Sequence, residues 1–418
     1  MKLLKTSFLS AIITFIRISS GFVANKIVAI ITGPSGITLI GAFVNFISIV
    51  LTFSNGAINT GVVKYTAEYE GDEDKLKSLF STSLKISIYC SLFFGVVLIF
   101  LSPYLAPKIL GNPIYINPVR VLGGTILFYS LNSLLIAILN GKKLINKYTI
   151  VNVIGSVVGL IFTAILVFYY NVSGALYAMV LSQSVVFLVT LILIVKSSWF
   201  SWDYFRRPFC IDIARKLGGY TLMSIVTALT IPISQIILRN MLIEKLDITQ
   251  TGYWQGMMRI SDGYLMLVTT SLSTYYLPKL SSLKTDNELK TEVLKGYKLI
   301  LPMVLLGCII IYFLRFFIIE ILYTSDFFQM ERLFMWQLVG DFFKIAAWIL
   351  AYLMLARAMI KIFIITELLF SISFVIFGYY FVDLFKLEGV TISFALNYFI
   401  YFLVMLVVFR KILLNKTI

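Results

Sequence analysis

Apolar residues fill long runs along this chain, and short polar or charged breaks separate them. Runs of about 20 apolar residues match the ~30 Å hydrocarbon core of a bilayer at 1.5 Å of helical rise per residue. The pattern predicts twelve spans, over 7–31, 37–61, 84–103, 117–140, 148–170, 174–195, 217–243, 251–278, 298–320, 332–355, 361–382 and 389–410. A membrane barrel would alternate polar and apolar residues in segments of about 10, and this chain does not. The expected fold is an all-α integral membrane protein. The first span outruns a signal-peptide core of roughly 7–15 residues and carries Arg17, Asn25 and Lys26, so it reads as an uncleaved helix.

Composition agrees: 60% of the 418 residues are hydrophobic. The charge adds topology. Lys and Arg outnumber Asp and Glu by 35 to 20. With edge residues assigned to the adjoining loop, 24 of the 35 fall at the N-terminus, in the even-numbered loops and in the C-terminal tail. Only 5 fall in the odd-numbered loops, and six (Arg17, Lys26, Arg239, Arg259, Arg315, Lys344) lie within spans. Basic loops stay in the cytoplasm, so both termini are expected there. The excess of +15 is a topology signal, and no nucleic-acid partner is expected. The outward loops are short, the largest being the fifteen or so residues from Pro103 to Asn117. Three scattered cysteines suggest neither a disulfide framework nor a metal site. The absence of histidine leaves any proton coupling to carboxylates.

A basic loop at 196–216 divides the chain six spans from six. The expected domains are an N-terminal bundle over 1–200, a cytoplasmic linker over 201–216 and a C-terminal bundle over 217–418. Each half sends its second span into a charged segment, at 64–80 and 278–293, with Asp72 and Asp286 as plausible N-caps. DKLK (74–77) and NELK (287–290) lie 213 residues apart, and the same offset places Lys26 on Arg239. Transporters are often built from such repeats.

Charges inside a membrane cost about 2.5–3.5 kcal/mol each on insertion scales and usually face a wet interior. Here they align at helical spacing. Gln255, Arg259 and Asp262 follow i, i+4, i+7, as do Gln337, Asp341 and Lys344. Asn45, Ser48, Thr52, Asn55 and Asn59 run along span 2, Gln235 and Arg239 share span 7, and Glu367 lies on span 11. Any single Ser or Thr reads as helix–helix glue, and Arg315 and Glu320 as residues reaching for the interface. The charged set reads as the lining of a central polar cavity. Arg259–Asp262 and Asp341–Lys344 can neutralise each other as i, i+3 pairs. Arg17, Lys26 and Arg239 then stand against Glu367, a net positive lining suited to an anion such as a pyrophosphate. Its Asn, Gln, Tyr and Trp suit sugar hydroxyls and rings.

Four stretches carry a family resemblance: GFVANKIVAIITGPSG (21–36), GVVKYTAEYEGD (61–72), TGYWQGMMRISDGYLMLVTTSLSTYYLPKLS (251–281) and MWQLVGDFFKIAAWILAYLMLARA (335–358). They resemble the Wzx family of O-antigen and enterobacterial common antigen flippases, within the multidrug/oligosaccharidyl-lipid/polysaccharide (MOP) exporter superfamily. The pattern is nearest the enterobacterial common antigen branch. The resemblance implies two pseudo-symmetric six-helix bundles around a cavity in the bacterial inner membrane. It implies movement of an undecaprenyl-pyrophosphate-linked oligosaccharide to the periplasmic leaflet by alternating access, driven by an ion gradient. The matching basic positions are Arg17, Lys26, Lys64, Arg239 and Lys344, and the acidic ones Asp262, Asp341 and Glu367. Arg259 departs from the pattern. Asn45, Asn59, Gln255 and Gln337 join the basic residues as expected substrate contacts. The three acids are expected to couple ions, with H+ or Na+ left open and no other cofactor. Partners compatible with the resemblance are the O-antigen polymerase and chain-length regulator.

Two other classes compete. A membrane polymerase or ligase would place catalytic groups at the outer face, often in a large loop, and this chain has short outer loops. A multidrug/cation antiporter of the same superfamily would want an acidic cavity. The peptidoglycan-precursor flippase branch typically has extra C-terminal spans.

Overall fold

A computed structural model describes residues 2–283, 285–357 and 359–414. Lys284 and Lys416, both counted in the charge asymmetry, lie outside the described residues. The chain folds into helices α1 (Lys2–Ser54), α2 (Asn59–Glu68), α3 (Glu73–Leu110), α4 (Ile116–Gly141), α5 (Ile145–Val195), α6 (Ile211–Lys245) and α7 (Ile248–Ser271). There follow α8 (Leu277–Ser282), α9 (Asp286–Phe313), α10 (Arg315–Leu322), α11 (Phe334–Ala356), α12 (Ile360–Phe385), α13 (Leu387–Val408) and α14 (Arg410–Leu414). No strand occurs among the described residues. Nine helical stretches among them are long and apolar enough to cross a bilayer. Two of these, 15–54 and 145–195, have length for two crossings each and break inside, at Gly33 and Asn171. The expected eighth span, α7 with α8, is not among the nine.

Packing divides the chain into two compact units, one of residues 1–32 with 39–232 and one of 33–38 with 233–418. In the first unit the core gathers Leu79, Phe80, Leu134, Ile138 and Val151, with Trp199 and Tyr204 of the 196–210 segment against it. The second unit centres on α11, whose Gln337, Asp341 and Ile345 have no exposed surface.

Three expectations change. Span 2 is not one helix: α1 stops at Ser54, and Gly56 and Ala57 take positive φ of 68° and 53° before α2 begins. The Asn55 side chain accepts from the Ala57 amide at 2.9 Å, and the freed Ser54 carbonyl accepts from the Ser91 and Ser130 hydroxyls at 2.9 and 3.3 Å. The side-chain hydrogen bonds stand in for the lost helical ones, as they must where lipid supplies none. Span 8 is interrupted too, by one π-helical segment at Leu272–Tyr276. The second correction is the cap of α9, which is Thr285 in a capping box with Glu288 rather than Asp286; Asp72 caps α3 as expected. The third is the largest outward loop. It shrinks because α3 runs on through Pro103 and Pro107 to a left-handed cap at Gly111. Arg315, read as reaching for the interface, bonds Glu331 at 3.2 Å.

The caps Asp72 and Thr285 lie 213 residues apart, the offset seen in the sequence. A second echo was hidden from it. The last two helices of each half join through one residue in the same unusual conformation, Asn171 at (50°, −130°) and Lys386 at (53°, −132°). Three residues on, Gly174 and Gly389 pack against the carbonyls of Leu166 and Phe381. A methyl at either glycine collides with backbone, which no rotamer change relieves. Gly174→Ala and Gly389→Ala are therefore each expected to destabilise by about 1–3 kcal/mol. A lowered thermal midpoint of the purified protein is the check, and an unchanged midpoint for either variant would remove the equivalence of the two hairpins.

Candidate functional site

The first unit contains a cavity of about 570 Å³. It is lined from α1 by Arg17, Ser20 and Ser48, from α4 by Tyr129, and from α5 by Ser156, Thr163, Ser182 and Gln183, among apolar neighbours. Helical spacing makes this lining. Arg17, Ser20, Gly21 and Ala24 are one face of the first span; Val44, Ile47, Ser48 and Leu51 are one face of the second. None of the described lining residues is acidic. The single formal charge among them is the Arg17 guanidinium, and around it stand hydroxyl and amide groups that both donate and accept. An anion carrying hydroxyls fits this set. An organic cation finds no counter-charge in it.

Neighbouring polar positions of span 2 lie elsewhere. Asn45 is buried. Asn59 begins α2 and donates to the Ser133 hydroxyl at 2.6 Å. Lys26 is half-buried, and Lys64 is exposed on α2, 3.7 Å from Glu68 and over the ring of Tyr65.

The second unit holds the other polar cluster. Asp341 is fully buried on α11. Its carboxylate accepts from Ser261 at 2.8 and 2.7 Å, from Tyr264, and from Gln337 at 3.3 Å. Lys344, one turn along, points its ammonium among the rings of Trp348, Phe394 and Tyr398, at 5.1, 5.7 and 5.6 Å. Asp341 takes its hydrogen bonds from these donors, and the expected i, i+3 partner Lys344 acts on it by charge across one turn. Arg239 has no more than 2% of its surface exposed, and it donates to Gln255 at 2.8 Å. Arg259 and Glu367 are half-buried, and Asp262 is exposed on α7.

The structure thus joins Arg239 to Gln255, and Gln337 to Asp341. It separates Asp262 from the hydroxyls that hold Asp341, because Ser261 and Tyr264 lie on a different face of α7 from the Gln255–Arg259–Asp262 stripe. Sequence reasoning missed Ser261 and Tyr264, and also Tyr129 and Gln183. The signal for the first two was present: they are spaced i, i+3 in the same short stretch. A search that follows charges discounts Ser and Tyr.

Comparison with known proteins places this geometry. A family model described as polysaccharide biosynthesis protein matches residues 27–332. The lipid III flippases of Escherichia coli (strain K12) and Shigella flexneri are each 28% identical over 402 residues, covering 96% of this chain and 97% of theirs. The structure of a multidrug resistance MATE family transporter of the MOP superfamily, in an inward-facing conformation, superposes with a TM-score of 0.81. It has 17% identity and covers 97% of this chain and 100% of that one. A MOP superfamily transporter from Pyrococcus furiosus, described by the reverse polarity of its binding pocket, gives 0.76 at 17% identity, covering 99% and 97%. The chain has the MOP transporter fold.

Proposed function

We propose that this chain, which belongs to the polysaccharide biosynthesis protein family, is a flippase for a lipid-linked oligosaccharide in the bacterial inner membrane. The observation that carries the reading is the first unit's cavity, with one arginine, many hydroxyls and no carboxylate among its described lining residues. A polyprenyl diphosphate oligosaccharide offers that cavity a diphosphate for Arg17 and sugar hydroxyls for Ser48, Tyr129, Ser156 and Gln183. A guanidinium holds phosphate oxygens through paired charged hydrogen bonds. The prenyl chain remains in lipid. Lys26 and Lys64 draw the headgroup toward the first unit, and the charge pattern of the loops puts both termini in the cytoplasm.

Movement follows alternating access, with the second unit supplying the coupling. Asp341 is a buried carboxylate whose donors are all neutral, beside a lysine held by rings. Loading or release of a proton there changes the energy of any arrangement that keeps Ser261 and Tyr264 on it. Asp262 and Glu367 are further positions for coupling, with Na+ as the alternative ion. No bond of the substrate is made or broken; the protein is a transporter and not an enzyme. A polymerase working on the delivered unit is its downstream partner.

A multidrug antiporter is the second reading, favoured by the fold of the MATE transporter it superposes on. The sign of the cavity charge opposes it. Depleting the protein in its native cell separates the two. Lipid-linked oligosaccharide is expected to accumulate in the cytoplasmic leaflet, with drug sensitivity unchanged. Raised drug sensitivity without that accumulation would sink the flippase reading.

A further inference from the structure

The segment between α5 and α6 is held to the first unit as a fixed clip. The Ser81 hydroxyl donates to the Phe205 carbonyl at 3.2 Å and to that of Arg207, and the Lys85 ammonium donates to the latter at 2.7 Å. The Cys210 amide donates to Thr82 at 3.1 Å, and Arg207 pairs with Asp74 at 2.7 Å. Tyr204 is buried and donates to Glu73; burial and that carboxylate raise its phenol well above the ordinary tyrosine range, so it stays a neutral donor. Lys142 closes the clip from the α4–α5 turn, with its ammonium 4.4 Å from the Trp199 ring and 5.2 Å from that of Tyr204.

What this docking leaves outward is unusual for a loop. Trp202, Phe209 and Ile211 are 55%, 45% and 68% exposed. Exposed Lys196, Arg206, Arg207, Arg215 and Lys216 accompany them, against Asp203 and Asp212. A solvated linker has no reason to hold two aromatic side chains in water on a rigid backbone. Aromatic rings with basic neighbours settle instead at the headgroup level of a bilayer, where the ring is half-wet and the cations meet anionic lipid.

We infer that residues 202–215 form an interfacial foot that binds anionic phospholipid headgroups through Arg206 and Arg215, with Trp202 and Phe209 set in the same layer. The inference is independent of the transport reading. The foot gives the first unit a fixed depth in the leaflet.

The test uses the full chain reconstituted in phosphatidylcholine vesicles. A small share of the lipid carries brominated acyl chains, either as phosphatidylcholine or as phosphatidylglycerol. Subtracting the fluorescence of Trp202→Phe isolates the Trp202 signal. That signal is expected to be quenched more by brominated phosphatidylglycerol than by the same amount of brominated phosphatidylcholine. Arg206→Gln with Arg215→Gln is expected to cut the preference by roughly fivefold per charge removed, and high salt is expected to cut it in the wild-type protein. The salt arm stands if the double variant fails to fold. A Trp202 signal unquenched by either lipid overturns the inference, as does equal quenching by both. So does a preference abolished by farnesyl diphosphate, which would make the surface a docking site for the transported lipid.

Discussion

Arg17→Glu is expected to abolish surface polysaccharide while leaving the protein folded and at normal abundance. Arg17 is exposed on the cavity wall, and none of the other described lining residues is charged. Its loss therefore breaks no ion pair among the described residues. A charged hydrogen bond contributes about 1.5–3 kcal/mol, and reversal adds repulsion of the diphosphate. Together these predict a fall in transport of at least about a hundredfold. Arg17→Lys keeps the charge and loses the fork, so it should retain transport within about tenfold of wild type. The check is surface polysaccharide measured at matched protein level. Normal polysaccharide in Arg17→Glu would remove the cavity from the substrate's path.

The second large effect falls on Asp341, where two substitutions are expected to part. Asp341→Ala strips the acceptor from Ser261, Tyr264 and Gln337 at once, in a site with no exposed surface. Buried donors left unpaired cost about 1–3 kcal/mol each, so this variant should unfold at a distinctly lower temperature. Asp341→Asn keeps a side chain of the same shape with an acceptor oxygen and should fold. It cannot gain or lose a proton, so its transport should be lost, or should no longer respond to the ion gradient. Thermal midpoints and gradient-driven uptake in vesicles read the two separately. An Asp341→Asn protein with full gradient-driven transport would show that coupling lies elsewhere, with Asp262 and Glu367 next in turn.

The helical membrane class was legible because it depends on the length of apolar runs, a property of local sequence alone. The breaks inside the helices were less so. Asn55-Gly56 carries the residues that tolerate left-handed backbone, yet its stripe of Asn and Ser read as one continuous face. The π-helical segment at 272–276 leaves no composition signal, since it depends on which carbonyl each amide finds. Lys386 shows the limit most plainly: nothing about a lysine announces a backbone at φ 53°, and only the matching Asn171 reveals it as half of a repeat.

The candidate site divides the same way. Arg17 and Asp341 stood out, because a charge within an apolar run needs an explanation. Their surroundings did not, because a hydroxyl is inexpensive in a helix and its partner lies far away in sequence. Asp341 meets Ser261 and Tyr264 across about eighty residues. Local spacing suggested Lys344, which acts on Asp341 by charge while its ammonium lies among three aromatic rings.

Movement of a lipid-linked oligosaccharide across the bilayer can be followed with the purified protein in vesicles carrying a fluorescent polyprenyl diphosphate oligosaccharide, read by a membrane-impermeant quencher of the outer leaflet. Wild-type protein is expected to exchange the labelled lipid between leaflets, and Arg17→Glu to leave it where it was placed. If the wild-type vesicles hold the lipid in one leaflet with an imposed proton or sodium gradient, while a lipophilic cation is driven across, the protein is not a flippase for this lipid.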